Sequence, residues 1–178
     1  MASFETVDGL GLMKGQLESQ LASTNRLIAV RAALRSFPAL LAVFESNDFD
    51  APNLILAAFR TTLAALVSTP NQGQDEALKL SAKSAALSPA ISIASSAVGK
   101  ESVAADSAAK SARSAANAAT LSSHYLVEST TRAIRRSTFA ISTYSTRLSA
   151  IEAIQQDVLI SRETQKQSLS SKPLWQKD

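Results

Sequence analysis

The amino-acid sequence predicts an all-α protein: an irregular antiparallel helical bundle of about five or six helices with an Ala/Ser-rich middle. Three observations predict it. The 178 residues include 32 Ala and 21 Leu but only five Gly and five Pro, and Ala and Leu lead the helix-propensity scale that Gly and Pro trail. Aromatic residues are 5% of the chain, too few for a β-sandwich, which favours aromatic and β-branched residues between frequent turns. Apolar residues also recur at alternating spacings of three and four, which is the helical period.

Residues 1–15, with Gly9, Gly11 and Gly15, read as a flexible lead-in. Their glycine spacing does not make a dinucleotide loop, because no strand precedes it and the third glycine comes one place late. From about residue 16 the helical period takes over. Leu27, Val30, Leu34, Phe37, Leu41 and Phe44 form a heptad-like apolar seam. Pro38 interrupts it, so the expectation is a kink, or a helix ending near Ser36 and another starting with Pro38 in its first turn. Residues 47–50 form a loop with Asp50 as N-cap. A helix over about 51–68 follows, with Leu54, Ile55, Ala58, Phe59, Thr62, Leu63, Leu66 and Val67 on one broad apolar face. Thr69-Pro70-Asn71-Gln72-Gly73 ends it as a turn.

Between Ser81 and Ala119, 25 of 39 residues are Ala or Ser. An alanine face buries little area, but it lets helix axes approach toward the lower end of roughly 8–10 Å. Two states remain open for this stretch: a tightly docked helix, or a weakly held and partly solvated one. Residues 100–172 contain neither Gly nor Pro. A single helix of that length would exceed about 100 Å; the polar patch at residues 120–124 offers the alternative, a turn joining two antiparallel helices, and the sequence leaves one long helix and a hairpin both open over 100–168. Ile141, Leu148, Ile151 and Val158 then close the core, which also takes Leu54, Ile55, Phe59, Leu63 and Leu66. One helical domain is expected over residues 16–168, apolar over 16–68 and Ala/Ser-rich and basic over 74–168, with a tail at 169–178.

Composition excludes several chemistries. The chain has no cysteine and one histidine, His124. That removes disulfides, thiol nucleophiles and zinc fingers, and it denies one chain a multi-histidine metal site. No metal or cofactor is expected. His124 lacks a defined acid or nucleophile partner, and residues 99–102 miss the glycine and hydroxyl of a phosphate loop. No catalytic residue is assigned and the chain is expected not to be an enzyme. The most apolar windows carry Arg31, Arg35 and Arg60, well short of the roughly 20 clean residues of a membrane span. A soluble, cytoplasmic protein is expected.

Charge is uneven along the chain. Residues 1–78 hold five basic and eight acidic side chains, residues 79–147 nine and three, and the remainder four of each. Four arginines and no acid lie between Ser129 and Ser149. Of these, Arg132, Arg135 and Arg136 share one helical face and are the candidate contacts for an anionic partner, either nucleic acid or an acidic lipid surface. Leu174 and Trp175 are the candidate anchor for a protein partner. The leading expectation is a non-enzymatic interaction or scaffolding module, with the N-terminal part of a longer protein as one reading of the chain. Self-association is favoured because alanine-rich faces bury little within one copy. Anion binding through residues 129–149 is the alternative.

Overall fold

The computed structural model describes residues 7–41, 51–68, 76–86, 100–120, 123–144 and 148–160. Among them the chain is all-α, with helices packed against each other in a bundle. The helices are α1 (Val7–Glu18), α2 (Ala22–Arg35), α3 (Phe37–Leu41), α4 (Ala51–Ser68), α5 (Glu76–Ala86), α6 (Lys100–Thr120), α7 (Ser123–Tyr144) and α8 (Leu148–Ile160). Among the described residues α2 and α3 are adjoining segments separated by a single residue, Ser36.

The break has a local cause. Pro38 cannot donate a backbone hydrogen bond. Ser36 therefore closes α2, its N–H and hydroxyl both donating to the Ala33 carbonyl at 3.1 and 2.7 Å, and its own carbonyl accepts from the Ala39 N–H at 3.0 Å. The chain re-enters the helical conformation at Phe37, with Pro38 in the first turn of α3.

The most extensive contact joins α6 to α7, so residues 100–144 form a hairpin. The helix α2 lies along both members of that hairpin. On one side α4 and α5 cover α6; on the other α1 and α8 cover α7. Over residues 104–119 the alanine-rich stretch is the tightly docked alternative: Ala104, Ala105, Ala108, Ala109, Ala112, Ala115, Ala116, Ala118 and Ala119 are all buried, whereas Ser81, Lys83 and Ser84 are exposed and residues 87–99 lie outside the described residues. The abundant hydroxyl residues fit the same close packing. Ser111 donates across the hairpin to the Ala133 carbonyl at 2.8 Å, and Thr130 donates to the Asn25 carbonyl of α2 at 3.3 Å. A small side chain that can hydrogen-bond a neighbouring backbone is tolerated where a larger polar one is not.

Larger apolar residues concentrate at the other end of the layer order. Met13 and Leu17 of α1, Ile28 of α2, Ile134 of α7, and Ile154 and Val158 of α8 are fully buried and form one cluster.

Several expectations need correction. Residues 7–15, expected as a loose lead-in, belong to α1. Of the expected core, Val30, Leu54, Ile141 and Val158 are buried, while Leu27, Leu34, Phe37 and Ile55 are only partly so. Phe59, Leu63 and Leu66 are exposed. The burial of Leu41, Phe44, Leu148 and Ile151 falls outside the described residues. The reason for Phe59, Leu63 and Leu66 lies in what α4 packs on, the alanines of α6.

One prediction arises from α1. Gly15 is an exposed helical residue, and a Cβ built there meets nothing within 4 Å. Glycine in a helix interior costs about 1 kcal/mol relative to alanine. Gly15→Ala is therefore expected to raise the unfolding free energy by up to about 1 kcal/mol. An unchanged urea midpoint would show that α1 contributes nothing to the cooperative unit.

Candidate interaction surfaces

Only part of the basic cluster survives as a surface. Arg132 and Arg135 are exposed on α7, but Arg136 is turned against α6. Its Nη1 donates to the Lys110 carbonyl and to Ser114 Oγ, both at 3.1 Å. Burial holds the Arg136 pKa below the usual arginine value, and Arg132 and Arg113 push it the same way against a raising contribution from Asp106. Arg136 is thus a hairpin brace. Arg132 pairs with Glu128 one turn earlier on the solvent face. The three guanidinium groups do not converge on one point.

What α7 does present is a longer stripe. Tyr125, Glu128, Arg132, Arg135, Phe139 and Ser142 are exposed at alternating spacings of three and four. Two exposed aromatic rings therefore bracket the two outward arginines. His124 lies in the first turn of the same helix. Leu174 and Trp175 lie outside the described residues.

Two features were not anticipated. The first is a buried ion cluster. Arg31 and Arg35 stand one turn apart on α2 and both reach Asp157 of α8, Arg31 Nε at 2.8 Å from Oδ2 and Arg35 Nη1 on the same oxygen. All three residues are buried. The cluster latches α8 onto α2 and fixes the register of the two helices. Arg26, one and a half turns earlier, donates from Nε to the Ala118 carbonyl at 3.1 Å, and burial lowers its pKa. A signal for the cluster was present. Arg31 and Arg35 are four apart inside an apolar window, and Asp157 directly precedes Val158 in another; charges at helical spacing in such windows have to find each other or leave the core.

The second is the orientation of α4. It buries Leu54, Ala58, Thr61, Thr62, Ala65 and Ser68. Outward it turns Leu56, Phe59, Leu63, Leu66 and Val67, which are 39–53% exposed. The inward face is small because it lies on the alanines of α6, where only small side chains permit the close approach. Its hydroxyls are satisfied one turn back: Thr61 donates to the Ala57 carbonyl at 2.6 Å and Thr62 to that of Ala58 at 2.9 Å. The large residues are left on the solvent side. Phe59 is steadied by Phe37, with ring centroids 6.2 Å apart and tilted by 48°.

Among the described residues there is no group of three or more His, Asp or Glu side chains placed to hold a metal ion, and no helix is long and apolar enough to cross a membrane. No protein-family model matches the chain, and no curated protein or solved structure matches it either.

Proposed function

We propose that the protein is a non-enzymatic helical interaction module, acting in the cytoplasm, with α4 as its docking face. The observation that carries this reading is the outward stripe Leu56–Phe59–Leu63–Leu66. A soluble monomer rarely leaves a contiguous apolar patch of more than a few hundred Å² bare, and larger ones mark association surfaces. Residues three and four apart are neighbours on a helix surface, so this stripe is continuous. An aromatic ring with one edge already packed gives it a rigid centre.

The test is site-specific. A photo-crosslinking amino acid at Leu63, introduced into the full chain in its host, is expected to give discrete adducts, whereas the same group at exposed Lys83 on α5 gives none. Equal labelling at both positions, or none at Leu63, would refute the reading.

A second reading rests on the α7 stripe. Tyr125 and Phe139 supply stacking faces on either side of Arg132 and Arg135, the combination used to track an anionic strand. Arg132→Glu with Arg135→Glu is then expected to weaken retention on single-stranded DNA or acidic vesicles at least about tenfold and to flatten its salt dependence. Arg136→Gln is the contrasting control: it loosens the hairpin instead. If the double variant binds as the parent does, α7 is not an anion surface.

A further inference from the structure

The α4 stripe is symmetric about its own centre. Leu56 and Leu66 each lie five positions from residue 61, and Phe59 and Leu63 each lie two positions from it. We infer that the occupant of this face is a second copy of the chain, docked so that the two α4 helices run antiparallel about a two-fold axis that crosses the stripe at the level of residue 61. The inference rests on reading α4 as an interaction face and names its partner.

The half-turn places Leu56 opposite Leu66 of the second copy and Phe59 opposite Leu63 of the second copy. This produces four layers, leucine on leucine at the ends and phenylalanine on leucine in the middle, with no polar residue in the seam. The spacing of three, four and three is that of an a/d seam. A two-fold interface requires a patch to be its own complement, and this one is. A parallel pair would instead stack Phe59 on Phe59, with each large ring facing its equal.

Area supports a dimer of modest strength. Five large side chains at 39–53% exposure, each of roughly 150–250 Å² when bare, present on the order of 400 Å² per copy. Two copies bury about 800 Å² of apolar side chain, and the flanking Pro52, Asn53 and Arg60 bring the interface to the lower margin of roughly 1,000 Å² for specific association. The dimer is therefore weak and reversible. Arg60 is the only charge on α4. It borders the seam, and the half-turn brings it near Arg60 of the second copy. That repulsion is screened by salt, so the dimer tightens as salt is raised, the opposite of an electrostatically driven pair.

Sedimentation of the full chain tests this. The expected mass is twice 18.8 kDa at high concentration, falling to 18.8 kDa on dilution, with the transition moving to lower concentration at high salt. Leu63→Glu is expected to remain at 18.8 kDa throughout while keeping its helical circular dichroism, since Leu63 is half exposed and supports no core cluster. The chain lacks cysteine, so register can be read directly: Phe59→Cys mixed with Leu63→Cys is expected to form a disulfide-linked dimer faster than either variant alone. Homodimers of Phe59→Cys forming fastest would overturn the antiparallel register. A parent chain that sediments as a monomer at every concentration, or a dimer that survives Leu63→Glu, would overturn the inference outright. If that monomer still gives a Leu63 photo-adduct with a different protein, the self-pairing fails while the interaction face stands. A photo-adduct of single-chain mass fails the self-pairing too, by showing a segment such as the one carrying Trp175 on the stripe. A monomer with no adduct at all fails both.

Discussion

Asp157→Asn is expected to lower the unfolding free energy by about 3–5 kcal/mol, the usual cost of removing one partner from a buried ion pair. Asp157 is 3% exposed and one of its oxygens serves both Arg31 and Arg35. The amide keeps the shape but loses the charge, so two buried guanidinium groups lose the carboxylate they share. Against a total of about 5–15 kcal/mol for a domain, that loss is a large fraction, and urea denaturation will register it as a shifted midpoint. A converse variant separates charge from packing. Replacing Arg31 and Arg35 by Met and Asp157 by Leu together is expected to be neutral or to stabilise by up to about 4 kcal/mol, because the desolvation cost of all three ions disappears with them. If Asp157→Asn costs less than about 1 kcal/mol, the cluster is not the latch between α2 and α8, and helix register is set by Ile28, Ile154 and Val158 alone.

The same three residues show where sequence reasoning reached and where it stopped. Helical period, scarce Gly and Pro, and the break at Pro38 are local properties, and the helices follow from them. Between one long helix and a hairpin the sequence leaves the choice open, and the packing of α6 on α7 decides it for the hairpin. Partnership between helices is not local. Arg31 and Asp157 are 126 residues apart, and no spacing rule joins them. Arg136 was grouped with Arg132 and Arg135 by spacing, yet a rotation of 100° per residue is enough to send its side chain onto α6 while Arg135 stays in solvent. The stripe on α4 failed differently. Large apolar residues on one helical face are ordinarily core, and that inference weighs only the helix itself. The alanine surface of α6 reverses it over most of α4, where Ala58, Thr61, Thr62 and Ala65 turn inward together with Leu54 near the helix start.

That reversal gives the last prediction. A view that equates size with burial makes Leu63 a core residue and Ala108 a filler. The structure assigns them the other way. Ala108 is fully buried in a cluster with Leu54 and Ala58 of α4, whereas Leu63 is 48% exposed. Ala108→Leu has to insert three more carbons where α4 lies close against α6. Overpacking of this kind costs about 1–3 kcal/mol, and the upper end is expected here because the buried neighbours are mostly alanines, with Leu40 and Leu54 already fully buried among them. Leu63→Ala removes just as many carbons from a half-solvated position and is expected to cost less than about 1 kcal/mol in the monomer. Urea melts of the two variants, compared at a concentration low enough to exclude association, check the order. Should Leu63→Ala prove the more damaging, α4 would have to be rotated about its axis, and the exposed stripe on which the docking face depends would be core after all. The expected order ties fold to function through one physical cause: the small-on-small contact that secures α4 to the bundle also leaves its large side chains available to something outside it.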